Sequence, residues 1–252
     1  MARKRRLQYK DLDALRFLAF LPIFGYCALY LLSTEENPIA TDGRNAMEYI
    51  KQNSLDFFFF LSSFLLTSHA LREYKYNEGF SIKSYFIRRM MRILPIFILA
   101  IIFTFFVHPW IIKLLDLTPI VTPKATDYLT LFPNYFSRLT SEQYIYLAIV
   151  WTIYMFIQFY VFWGFVLKIF IQRIRVVGII LIIVGIISRV FHILNETTFE
   201  FDTLSAGIPI GVGAIIAHII RNDERTVDLI KHLSKGTHMI VYFFGIAVIL
   251  TG

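Results

Sequence analysis

Apolar runs long enough to cross about 30 Å of hydrocarbon recur along the whole chain, separated by short polar and basic segments. The pattern predicts membrane-spanning helices at Leu12–Leu32, Leu55–Leu71, Ile93–Leu115, Tyr144–Leu167, Val176–Leu194, Thr203–Ile220 and Thr237–Gly252. The expected fold is therefore all-α, a polytopic transmembrane helix bundle of about seven spans, forming one membrane domain over residues 1–252. The last run reaches Gly252 without a flanking anchor, which is the pattern expected of a truncated or unusually short chain.

The polar segments alternate in charge. All but six of the 25 basic residues (Arg44, Lys51, Lys113, Lys124, Arg138 and Arg189) fall on one side of this arrangement, in MARKRR with Lys10 and Arg16 after it, the Arg72–Arg92 stretch, Lys168–Arg175 and Arg221–Lys235. Lys and Arg concentrate in cytoplasmic loops, so the N-terminus is expected in the cytoplasm. The outer segments are Ser33–Ser54, Asp116–Gln143 and Asn195–Asp202; the middle one, with three prolines, suits short interfacial helices or a lid. RNDERTVDLIKHLSKG after the sixth run reads as an amphipathic surface helix.

Composition agrees with the pattern. Apolar residues make up 57% of the chain and charged ones 17%, against about 25% charged in ordinary soluble domains. The net charge of +7 does not imply a nucleic-acid partner, because the cations lie between spans rather than on one solvated face; the partner they imply is the lipid bilayer. The one cysteine, Cys27, excludes an intrachain disulfide and a cysteine metal cluster. No HExxH-type spacing points to a metal, and the first apolar run lacks the cleavage site of a signal peptide.

Ionisable groups within spans are costly and are candidates for function. Arg16, one turn into the first run, either snorkels to the inner headgroups or serves a site. Asp56 opens the second run and would cap that helix or bind a ligand. Arg189 and His192 share a face near the outer end of the fifth run with Asp202 close by; an outer-surface ion cluster is the expectation, and part of an acceptor cavity is the alternative. His69 and His108 are expected at the interface. Thr203–Ala217, rich in small residues, suits close helix packing, or else a kinked span lining a cavity. In Ser84–Pro95, SYFIRRMMRILP, a basic turn between two hydrophobic helices is expected; Arg89 and Arg92 share a helix face, which fits phosphate binding or simply the cationic bias of an inner turn.

Four segments in order carry a resemblance: DLDALRFLAFLPIFGYC at Asp11–Cys27, DFFFFLSSFLL at Asp56–Leu66, SYFIRRMMRILP, and VWTIYMFIQFY at Val150–Tyr160. They resemble the acyltransferase 3 family, integral membrane enzymes that move acetyl-type groups onto sugars and envelope molecules, and the glycine-rich run at Asp202–Ala217 is a weaker fifth match. The resemblance implies an acyltransferase that uses acyl-CoA as co-substrate, with no bound cofactor, and a hydroxyl of an envelope glycan or lipid as acceptor. It assigns Arg16 and position 27 to catalysis and Arg89 and Arg92 to the acyl-CoA donor, with Asp56 as a further substrate-binding candidate. Two positions depart from the family pattern. Cys27 stands where the catalytic histidine belongs, and Phe156 and Ile157 stand where carboxylates are usual. Eleven positions along a helix advance about 16 Å and nearly complete three turns, so Arg16 and Cys27 share a face. A buried thiol is a poor base; Cys27 as a packed small residue is the expectation, and an acyl-carrying nucleophile is the other use of a thiol there. The alternative to an enzyme is a catalytically silent scaffold or partner subunit, with Cys27 and Phe156 in packed apolar surroundings; a transporter is a third reading.

Overall fold

The computed structural model describes residues 10–32, 38–77, 79–102, 106, 107, 110, 113, 114, 144–195 and 202–222. The seventh predicted span, the segment from Asp223 onward and all of Asp116–Gln143 lie outside the described residues. Within them the chain forms α1 (Lys10–Leu32), α2 (Pro38–Asn77), α3 (Ile82–Ile102), α4 (Tyr144–Phe170), a 3-10 turn (Ile171–Arg173), α5 (Ile174–Leu194) and α6 (Gly207–Asn222). The described residues contain no strand. The fold is a helical membrane bundle.

Neighbouring pairs fix the directions of the helices. Along α1, Arg16 meets Phe58 and Tyr26 meets Lys51 of α2, so these two are antiparallel. Along α4, Phe156 meets Phe58, Trp163 meets Thr67 and Gln172 meets Tyr74, so α2 and α4 are parallel. Phe86 packs on Phe165 and Phe97 on Tyr154, which turns α3 against α4. Arg189 of α5 returns to Asp56, while Gly213 of α6 lies against Phe60 and Phe64 and Ala217 against Phe64 and Leu65. Thus α1, α3 and α5 run one way and α2, α4 and α6 the other, the alternation that the predicted spans require. The α2–α3 and α4–α5 connections share one end, called here the basic end.

Two helices begin earlier than the apolar pattern predicts. Asp56 does not open a helix: α2 starts at Pro38 and incorporates most of the expected outer segment Ser33–Ser54. An interior position cannot supply an N-cap, since the amides that a cap serves lie in the first turn, so the capping role is excluded. Likewise Ser84–Pro95 is not a turn. The reversal lies between Asn77 and Ile82, and the three arginines ride on the first turns of α3, which continues through Pro95. Both runs of residues are polar yet helix-compatible, and hydropathy alone marks where a helix enters lipid rather than where it begins.

Two continuous stretches, Ile50–Asn77 and Ile153–Leu194, are long and apolar enough to cross a membrane; the second is the α4–α5 hairpin folded at Ile171–Arg173. The bundle is apolar outside and small within. Ile179, Ile183, Ile186 and Val190 of α5 are exposed, whereas Gly178 and Gly185 are buried against α6. A Cβ on Gly211 would lie 2.4 Å from the Gly178 carbonyl oxygen, and one on Gly207 2.5 Å from that of Leu181. Small residues allow backbones to approach this closely where lipid removes the usual hydrophobic drive, so the packing expectation for Thr203–Ala217 holds. Ser63 of α2 is buried against α6, where its hydroxyl donates to the Ile210 carbonyl at 2.6 Å.

The α5–α6 contact leaves no room for a larger side chain. Gly211→Leu is expected to lower stability by about 1–3 kcal/mol, measured by unfolding in detergent, while Ile186→Leu on the exposed face should be within about 0.5 kcal/mol of the parent.

Candidate functional site

Three helices bring their chemistry to Tyr160. From α1, Arg16 reaches inward: it is 8% exposed, its guanidinium donates to the Tyr160 hydroxyl at 2.9 Å, and its face lies 5.1 Å from the centre of the Phe58 ring. From α3, the Arg89 guanidinium sits 5.8 Å from the centre of the Tyr160 ring, and the Tyr85 hydroxyl donates to the Tyr160 carbonyl at 3.0 Å. Two guanidiniums therefore face one aromatic residue, one from α1 and one from α3. The contact sets aside the snorkelling reading of Arg16, whose head group turns to the core. Tyr160 closes the fourth segment quoted above, but spacing assigns it no role. Only its partners on two distant helices reveal one.

The other sequence candidates divide. Cys27 lies on α1, and Arg92 on α3, with side chains outside the described residues. Asp56 forms an ion pair with Arg189. Beyond it, His192 Nε2 lies 3.4 Å from Asp202 Oδ2; that carboxylate also accepts from the Ser188 hydroxyl, from the Ser205 hydroxyl at 3.1 Å and from the Leu204 amide at 3.0 Å. Thr203 donates to Gln158 at 2.6 Å. The expected ion cluster at the far end is present, built from α2, α4, α5 and the start of α6. His69, exposed, donates through Nδ1 to the Leu65 carbonyl at 2.7 Å; His108 lies outside the described residues.

Phe156 and Ile157 are buried. Phe156 stacks on Phe58 at 4.3 Å between ring centres and meets Phe59 edge-on at 5.5 Å, so the space that a carboxylate would occupy is aromatic core. Lys51, also buried, holds its ammonium 3.9 Å from the centre of the Tyr26 ring, one residue before Cys27. At the basic end a cleft of about 460 Å³ opens between the end of α2 and the start of α3, lined by residues that include Arg72, Glu73 and Arg88. Arg72 and Arg88 were indistinguishable in sequence from ordinary inner-loop cations.

Residues 9–250 match the acyltransferase 3 family, an acyltransferase domain. The chain belongs to this family. Such coverage takes in every described helix and both departures, at Cys27 and at Phe156 with Ile157. The chain is also similar to the peptidoglycan O-acetyltransferase OatA of Listeria monocytogenes serovar 1/2a, with 28% identity over 147 residues, 54% of this chain and 23% of that protein. The matched part therefore spans less than a quarter of that relative's length. No solved structure matches the chain. The arginine-rich centre at Tyr160 lies within the matched acyltransferase domain.

Tyr160 couples Arg16 to the core. Tyr160→Phe keeps the ring beside Arg89 and deletes the acceptor of a buried charged donor, so a loss of about 1–3 kcal/mol is expected. Thermal unfolding in detergent measures it. In an Arg16→Gln background the same change should cost less, and equal costs in both backgrounds would mean that the bond contributes nothing.

Proposed function

We propose that this acyltransferase 3 family member moves an acetyl-type acyl group from cytoplasmic acyl-CoA to a hydroxyl of an envelope glycan or lipid on the other side of the membrane. The observation that carries the reading is the line of contact from the half-buried Arg89 through the buried Tyr160 to the buried Arg16, which leads from the basic end into the bundle. The distribution of Lys and Arg supports a cytoplasmic basic end, with the N-terminus on the same side. The name of the Listeria relative, a peptidoglycan O-acetyltransferase, supports a glycan as acceptor.

Acyl transfer to an alcohol needs three services: a donor held in place, a charge to stabilise the oxyanion of the tetrahedral intermediate, and a base for the hydroxyl proton. Arg89, with Arg92 one turn further along α3, is assigned to the donor. Arg16 is assigned to the oxyanion, because a desolvated fixed charge is far more effective there than one in water. Position 27 is the family's base position, and a thiol serves that role poorly. If Cys27 carries the acyl group as a thioester, its sulfur attacks the donor carbonyl and the thiol proton leaves on CoA as its free thiol; the acceptor oxygen then attacks the thioester, and the hydroxyl proton returns to the departing sulfur of Cys27. Asp56, fixed by Arg189, is assigned to the acceptor end.

A second reading has its own observation. Phe156 and Ile157 fill with packed apolar side chains the positions where carboxylates are usual, which favours a silent scaffold or partner subunit.

The two are separated by labelled acyl-CoA and envelope glycan supplied to the purified chain in liposomes. Transfer is expected, with Arg16→Gln lowering kcat/KM on the order of 10²-fold. Activity that survives Cys27→Ala removes the thioester route. No transfer, with CoA binding unchanged in the Arg89→Ala/Arg92→Ala variant, establishes the silent reading.

A further inference from the structure

The cleft at the basic end is built from groups that the Arg89–Tyr160–Arg16 line does not use. Arg88 and Arg89 are consecutive on α3, so their side chains leave the helix about 100° apart. Arg89 turns to Tyr160 in the bundle. Arg88 turns to the cleft, where its guanidinium is 62% exposed and lies 3.6 Å from Glu73 Oε2, too far for a hydrogen bond. Its five N–H donors thus have no hydrogen-bonded acceptor among the described residues. Ser84 is similar: its hydroxyl oxygen accepts from Ser81 Oγ at 3.1 Å, which leaves its own proton without an acceptor there.

The opposite wall, on α2, is held in place. The Ser81 amide donates to Glu73 Oε1 at 3.0 Å, fixing the carboxylate. The Arg72 guanidinium lies 5.9 Å from the centre of the Tyr76 ring, and Tyr76 is 53% exposed.

We propose that this cleft is a binding site for a phosphorylated nucleoside, with Arg72 and Arg88 on its phosphates. The inference rests on the acyl-CoA reading above and deepens it, since the nucleotide is the handle of that donor. Forked guanidiniums match phosphate oxygens in pairs, and two of them line one cavity. A simple phosphate site has no use for a carboxylate, because like charges repel. Glu73 suits instead a ligand that carries a hydroxyl or amino donor beside its phosphates, and an exposed aromatic ring suits a base. The volume of about 460 Å³ falls in the range of small-molecule sites, roughly 300–1,000 Å³. Because Arg88 and Arg89 are adjacent, a nucleotide seated here leaves its acyl arm at the entrance to that line of contact. The bland account is that Arg88 and Glu73 are a solvated surface pair, worth at most about 1 kcal/mol and indifferent to nucleotides.

Isothermal titration of the full chain in phosphatidylcholine nanodiscs with adenosine 3′,5′-bisphosphate tests the proposal without requiring any transfer. Saturable binding is expected, weakened about tenfold or more by Arg88→Gln and by Arg72→Gln, and unchanged by Arg175→Gln in a control cation at the same end. Arg88 is exposed, so its variant tests the site even where Arg72→Gln unfolds. Binding without acyl transfer would uphold the cleft and sink the proposed function. Transfer from acyl-CoA with KM unchanged in both arginine variants would sink the cleft and leave the function standing. A second arm uses nanodiscs containing phosphatidylglycerol. If the bisphosphate fails to bind in phosphatidylcholine while Arg72 and Arg88 are needed for phosphatidylglycerol enrichment around the protein, the cleft is a lipid-headgroup site and the nucleotide proposal is overturned.

Discussion

An arginine inside an apolar bundle has to be answered by the protein, because lipid cannot answer it. Arg16 is answered by the Tyr160 hydroxyl and the Phe58 face, and that arrangement ties α1 to α4 and α2 at once. Tyr160 of α4 then receives Tyr85 and Arg89 from α3, so α1 and α3 meet at one residue of α4, and α2 joins them through Phe58. At the far end the same demand joins α2 to α5 through Asp56 and Arg189, and α5 to the start of α6 through Asp202. Apolar contacts with lipid are nearly indifferent to how one helix slides past another. Polar contacts are not, and in this bundle they set the register.

Close packing supplies what the hydrophobic effect does not. Helices already in hydrocarbon gain little by burying leucine against leucine, so their contact relies on close approach. The α5–α6 interface places glycines on both faces, with backbone atoms where side chains would otherwise stand. Isoleucines occupy the outer face of α5. The distribution reverses that of a water-soluble helix, and it explains why α5 is so apolar while only its small residues are buried. On α2, the serines and threonine of LSSFLLTS are buried instead, and Ser63 and Thr67 satisfy their hydroxyls through α6 and α4.

Much of this was legible from hydropathy and charge. The apolar runs give the all-α bundle, and the alternation of basic segments gives the up-and-down order that the contacts show. The starts of α2 and α3 were not legible, because stretches such as Pro38–Ser54 and Ile82–Arg92 form helix outside lipid as well as within it. That one error produced two others, a cap at Asp56 and a turn at Ser84–Pro95. Tyr160 escaped notice because its significance lies in partners 71 and 144 residues away in sequence, Arg89 and Arg16. Arg88 escaped because side-chain direction on a helix separates it from Arg89 in space, whereas in sequence the two are neighbours. The pairing of Arg189 and His192 on one face, by contrast, was readable from spacing, and both find carboxylates.

The two departures from the family pattern pull against Arg16, and their energetics differ. Phe156 in a carboxylate position costs nothing, since it stacks between Phe58 and Phe59 and adds to the core. A scaffold that no longer catalysed would gain from such a change. Arg16 is the opposite case. Burying a guanidinium carries a desolvation cost even when it is paired, and well-packed apolar replacements for buried charges are often neutral or stabilising. A purely structural account must explain why the costly residue is present beside the inexpensive substitution. An account in which the fixed charge meets an oxyanion explains it directly, because the same desolvation that makes Arg16 expensive in the resting protein makes it effective when negative charge develops beside it. On that argument the proposed chemistry keeps its charge at Arg16 and departs from the family pattern at Cys27.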